Sequence, residues 1–153
     1  MLRRLRRACF KFTASSAKED GLIKGLHAVE VIAIFAEDLP ATKAFYSDVF
    51  GLPLVFEDAV SAVFKFDNLL LNVLRGSEAT KLIEPAPVGA TGAGARYMPT
   101  IRVADAHETC AELARHGVAL LNGPINRPWG RRTAAFRDPA GNVWEIAQVL
   151  PRA

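Results

Sequence analysis

Three histidines and two cysteines are the side chains best suited to hold a metal or act as nucleophiles, and their spacing keeps them apart. His107 and His116 fall in the first and last turns of one predicted helix, where an imidazolium near the C-terminal end suits the helix dipole. His27 precedes the first strand. Cys110 lies on the apolar face of the same helix, where a thiol acts as a small hydrophobe with no base beside it. Cys9 and Cys110 cannot make a disulfide framework, which points to a reducing compartment and a cytoplasmic protein. The Gly-Ala-Thr-Gly-Ala-Gly-Ala-Arg run at 89–96 lacks the preceding strand and the lysine of a phosphate-cradling loop. Trp129, held stiffly between Pro128 and Gly130, fits two roles: stacking on a planar ligand at a pocket mouth, or packing on a rim or dimer contact.

The elements that must position these groups come from a repeat. Residues 29–36 (VEVIAIFA) read as a strand of β-branched and aromatic residues. Asp38 is a fitting N-cap, Pro40 suits the first helical turn, and Gly51 suits the helix stop. Phe45, Tyr46, Val49 and Phe50 recur at helical spacing between them. About 67 residues on, the pattern is spelled again. Residues 97–103 (YMPTIRV) read as a strand, Asp105 as N-cap, Cys110, Leu113 and Ala114 as the helix face, and Gly117 as the stop. After each helix come three short strands: PLVFED, SAVFKF and LLLNVL in the first half, VALLN, RTAAF and NVWEIAQV in the second.

The reading is therefore an α+β fold: two tandem β-α-β-β-β modules, 27–75 and 96–150, within one domain spanning 26–151. A Gly/Ala/Pro-rich connection, 76–95, is expected to be a structureless linker or lid. Each helix should cover one face of a curved sheet, and the opposite faces should form a cup.

Charge divides the chain differently. Residues 1–25 hold seven basic and two acidic side chains, and the remaining 128 hold 12 basic and 14 acidic. The basic leader reads as a disordered extension or, alternatively, an organelle-targeting presequence. The slightly acidic body offers no footprint for nucleic acid. No stretch approaches the ~18 apolar residues of a membrane span.

The strings AEDLPATKAFYSDVFGLP (36–53), RVADAHETCAELARHGV (102–118) and PWGRRTAAFRDPAGNVWEIAQ (128–148) resemble the vicinal oxygen chelate superfamily, also called the glyoxalase / bleomycin resistance / dioxygenase superfamily. The likeness spans roughly residues 29–149. It implies metal ligands, usually His and Glu, on the inner cup face of the first and fourth strands of each half. Counted from the capping aspartates, those positions are Val31, Asn72, Met98 and Glu145. Glu145 alone matches. Valine has no donor atom, a thioether is a soft ligand, and a neutral amide oxygen is a weak one. His27, four residues before Val31, lies about 13 Å along a strand and cannot stand in for it. No cofactor is expected, and a divalent metal is disfavoured.

Alternation then assigns the cup lining: Val31, Ala33 and Phe35 from the first strand, Leu70, Asn72 and Leu74 from the fourth, Met98, Thr100 and Arg102 from the fifth, and Val143, Glu145 and Ala147 from the last. Such a greasy lining with a few polar groups suits a small-molecule ligand. Arg132 and Trp129 are counted with the ligand-binding cup as well, and Glu145 has two readings: a structural partner of Arg102 or Arg132, or a base or ligand-anchoring acceptor. Trp144, of opposite parity, should face the helix side.

Three functions follow from the resemblance and the lining. The first is metal-independent small-molecule binding, similar to sequestration by bleomycin resistance proteins, in a homodimer. The second is a glyoxalase-like lyase, isomerase or dioxygenase, metal-dependent or using Glu145 as acid/base. The third is an interaction module whose cup is filled by its own side chains. Whether the cup forms within one chain or across a dimer is open in the sequence.

Overall fold

The computed structural model describes residues 26–151, so the leader at 1–25 falls outside the described residues. The first module comprises β1 (Val31–Ala36), α1 (Leu39–Asp48), β2 (Leu54–Glu57), β3 (Ser61–Lys65) and β4 (Leu70–Arg75). A helix, α2 (Gly76–Ile83), follows directly. The second module comprises β5 (Thr100–Val103), α3 (Ala106–Arg115), β6 (Leu120–Arg127), β7 (Arg131–Arg137) and β8 (Val143–Val149).

The caps act as their residue types dictate. Asp38 Oδ1 accepts from the Ala41 N–H at 2.9 Å. Asp105 Oδ1 accepts from the N–H groups of His107 and Glu108 at 2.8 and 3.0 Å, and these bonds hold its carboxyl below the usual range. Gly51 and Gly117 end the helices in the left-handed region, φ +64° and +75°. Such a conformation suits a residue without a Cβ.

Strand ends shift by a residue or two, β1 starting at Val31 rather than Val29, and three larger departures matter for the site. The connection 76–95 is not structureless, because its first part forms α2. Glu78, Ala79, Lys81, Leu82 and Ile83 are helix-compatible, Glu78 and Lys81 pair at 2.7 Å, and Ala79 is buried. The Gly, Ala and Pro residues that dominate the segment's composition gather beyond Glu84. Strand β5 starts at Thr100 rather than Tyr97, since Pro99 has no N–H to donate to a ladder. Strand β6, expected to stop at Asn122, continues to Arg127 through two register shifts. Gly123 permits this. Its φ is +92°, and a Cβ there would sit 2.5 Å from the Thr133 carbonyl oxygen.

The strands form two four-stranded sheets of identical order, β1-β4-β3-β2 and β5-β8-β7-β6. In each, the first and last strands pair in parallel and the remaining pairs are antiparallel. One face of each sheet is buried: Ile34, Ala36, Phe64, Leu71 and Val73 in the first, Ala134, Phe136, Trp144 and Ile146 in the second. These faces belong to a single core with residues of α1 and α3. The modules meet there through aromatic rings. Phe50 stands 5.2 Å from Trp144 and 6.0 Å from Phe136, and Tyr46 stands 6.1 Å from Trp144, centroid to centroid.

A polar tie crosses the same core. Tyr46 donates its hydroxyl to Asp138 Oδ2 at 2.5 Å and accepts from Trp144 Nε1 at 3.0 Å. Burial, reinforced by the Asp138 charge, pushes the Tyr46 phenol far above its ordinary value, so it stays a donor. Asn142 satisfies both Asp138 oxygens from its backbone and side-chain nitrogens, each at 2.8 Å. Trp144 lies on the helix side, as its parity predicts.

Candidate functional site

The opposite faces of the two sheets turn away from this core. Register places Val31, Ala33 and Phe35 beside Leu70, Asn72 and Leu74 on one face. Val63 pairs with Asn72 and Phe56 with Val63, so both join that face. It is apolar around Asn72, with Ser61 and Lys65 on the same face at its two ends. Val31 is 44% exposed and Phe56 54%, so this part of the face is uncovered in the single chain, whereas Leu74 and Ser61 are buried. Asn72 Oδ1 is nonetheless buried and has no hydrogen-bond partner among the described residues. An orphaned buried carbonyl oxygen is costly unless a donor arrives from outside.

On the second sheet, Thr100 pairs with Glu145 and Arg102 with Ala147. Thr100 donates its hydroxyl to Glu145 Oε1 at 3.0 Å. Neither arginine named as a partner for Glu145 reaches it. Arg102 is exposed and forms no salt bridge among the described residues. Arg132 is not a cup residue. It pairs with Gln148, shares the face of Ala134 and Phe136, and donates Nε to Asn126 Oδ1 at 2.7 Å beside the start of α3. Its neighbours in the chain, Arg131 and Thr133, take the inner face instead.

Sequence reasoning missed Arg127 and Arg131 there. Arg127 pairs with Arg131, and its guanidinium donates to Thr133 Oγ1 at 2.9 Å and to Asn122 Oδ1 at 3.3 Å. Carrying the parity of Glu145 across the last hairpin would have found Arg131. Arg127 lies beyond the point where the strand was expected to stop. Met98 precedes β5 and is exposed, so strand alternation does not fix its direction. Trp129 is 67% exposed at the tip of the β6–β7 hairpin, between these two arginines.

The predicted residues do not converge on one enclosed space in the single chain. A cavity of about 190 Å³ takes Ala33 and Phe35 together with Tyr97, Arg137, Asn142 and the 89–95 loop. Asn72, Thr100, Arg102, Trp129 and Glu145 lie outside it. Cys110 is buried, which pushes its thiol upward and away from nucleophilic use.

The sequence profile of the Glyoxalase/Bleomycin resistance protein/Dioxygenase superfamily matches residues 27–146. The chain belongs to this superfamily. The uncharacterized protein YraH of Bacillus subtilis (strain 168) is 28% identical over 123 residues, 78% of this chain and 96% of YraH. Among solved structures, lactoylglutathione lyase from Agrobacterium tumefaciens is 28% identical with a TM-score of 0.65, covering 80% of this chain and 93% of that one. A glyoxalase-related enzyme from Fulvimarina pelagi is 25% identical with a TM-score of 0.70, covering 80% and 88%. The curved-sheet α+β fold is shared with these structures.

The superfamily's metal positions do not fit a metal here. Val31 has no donor atom, Met98 offers a thioether and Asn72 a neutral amide oxygen, which leaves Glu145 as the one charged donor. Among the described residues, no three His, Cys, Asp or Glu side chains gather into a ligand group. Zinc, iron or nickel catalysis needs three or four good ligands, and this set offers one. No helix among the described residues is long and apolar enough to cross a membrane.

Proposed function

We propose that the chain is a metal-independent small-molecule binding protein of the superfamily, sequestering its ligand in a cup much as the superfamily's resistance proteins do. The observation that carries this reading is the apolar inner face of the first sheet around Asn72, whose buried Oδ1 lacks a partner. A ligand donor there would remove the cost of that orphaned group. The cup closes across a homodimer in this reading: the modules of one chain meet through their helix sides and leave part of each inner face exposed. Uncovered apolar residues on these faces, Val31 and Phe56 among them, support a second copy as the cover. The two-cysteine composition fits a cytoplasmic location.

Metal analysis of protein purified without chelator, followed by calorimetric titration with Ni, Zn, Mn and Fe(II), tests the reading. Neither stoichiometric metal nor a tight equivalent is expected. One tight equivalent per site would overturn it. Sedimentation at micromolar concentration should give a dimer, and a monomer would remove the closed cup.

A second reading rests on the Thr100–Glu145 hydrogen bond. A carboxylate oriented by a hydroxyl, as the one matching ligand position, supplies a general base for a lyase or isomerase. If so, Glu145→Gln would lower turnover by about 10²-fold or more with the fold intact. Equal turnover would dismiss the acid–base version.

A further inference from the structure

The inner face of the second sheet carries four arginines, Arg102, Arg127, Arg131 and Arg137, against one carboxylate, Glu145. None of the four forms a salt bridge among the described residues, and Glu145 is occupied by Thr100. This concentration is invisible in the net charge of the body. Three of the arginines surround a floor of small side chains. Arg102, Ala147, Thr133 and Ile125 form one cross-strand row, and Val149, Arg131 and Arg127 form the next. Ala135, Thr133 and Ala147 are buried, so the floor is closed beneath. Arg102 and Arg131 are two strands and one row apart, about 12 Å between backbones, within reach of two converging guanidinium groups. Arg127 is already held by Thr133 and Asn122, with little side-chain freedom left to lose on binding.

Folding alone gives no reason for this pattern. Like charges gathered on one face repel, and an arrangement serving stability would interleave carboxylates. Guanidinium groups match oxyanions in a fork geometry that ammonium groups lack. We infer that the second sheet's inner face binds the oxyanion of an amphipathic small molecule, a carboxylate or a phosphate, through Arg102, Arg127 and Arg131. The ligand's apolar body then lies toward the apolar face that the first sheet contributes to the cup, and toward Trp129. This inference rests on the cup reading and specifies its ligand class.

The test uses the full chain in its native assembly and naphthalene probes that differ in charge. 2-Naphthoate and 2-naphthyl phosphate are compared with neutral 2-naphthamide and cationic 2-naphthylmethylamine by calorimetry. At least one anion should bind about tenfold or more tighter than the amide, with the amine weakest. The two anions distinguish a carboxylate from a phosphate site, and preference for either supports the inference. Arg102→Gln and Arg131→Gln should each bring the anion down toward the amide, whereas Arg115→Gln on the outer surface of α3 should change nothing. Salt should weaken the anions and leave the amide unchanged. Equal binding of anion and amide would keep the cup and overturn the oxyanion site, as would preference for the amine. No binding of any probe by folded protein would overturn both the cup and its ligand class.

Discussion

The two modules share strand order, parallel first-to-last pairing, aspartate caps and glycine stops, yet their inner faces have diverged. The first is apolar around Asn72 with a single lysine, Lys65, at one end, and the second holds four arginines around small side chains. The faces turned toward the helices have not diverged in this way, because both must supply apolar surface to one core. What the difference teaches is where a duplicated fold is free to change. Packing constrains the buried faces of both copies, while the exposed faces can be assigned separate tasks.

Four perturbations break or sharpen that comparison. The largest effect is expected from Gly123→Val, which has no counterpart in the first module. Its side chain would collide with the Thr133 carbonyl and with Ala134 at a left-handed backbone position. A loss of roughly 3 kcal/mol in denaturant unfolding is expected. A loss below about 1 kcal/mol would mean that β6 can slide without consequence.

Next comes the tie between modules. Tyr46→Phe removes the donor to Asp138 and the acceptor for Trp144 Nε1, leaving both buried groups short of a partner. About 2 kcal/mol should be lost, with unfolding still a single transition by fluorescence and circular dichroism. Two separated transitions would show that this bond alone joins the modules.

The caps test their equivalence. Asp38→Ala should cost about 1 kcal/mol, and Asp105→Ala should lower the unfolding midpoint in the same direction. Asp105 adds a pH signature. Its carboxyl is held below the usual range by the Glu108 and His107 N–H groups, so its contribution is present above the unfolded carboxylate pKa. It is lost as pH falls through the lower folded value. Asp105→Ala should flatten the acid limb of a stability–pH curve, and an unchanged limb would place the acid sensitivity elsewhere.

The smallest effect concerns the arginine face. In low salt, Arg131→Gln should leave the unliganded protein equally stable or more stable by about 0.3 kcal/mol, since a repelling charge is removed. A loss above about 1 kcal/mol would give that arginine a structural role.

The legible parts of the molecule depended on local signals. Asp38, Asp105, Gly51 and Gly117 announced both helices, and the parity of Trp144 announced its burial. The α2 helix was hidden because the composition of 76–95 is dominated by its later half. The arginine face was hidden for another reason. Arg131 and Arg132 are adjacent in sequence, and only the pairing of β7 with β8 decides which faces inward. A one-residue choice of parity exchanges faces. Arg127 was out of reach because Gly-Pro reads as an interruption, whereas a bulged strand passes through it.

The Tyr46–Asp138 bond joins residues 92 positions apart. Each module's own contacts are comparatively local, so its sheet can assemble before the halves meet, but the aromatic seam closes only when both are present. A half expressed alone would present Tyr46, Phe50 and Phe66, or Phe136 and Trp144, to water. The repeat is thus visible in the order of the strands but not in the core, which is one interior shared by both halves.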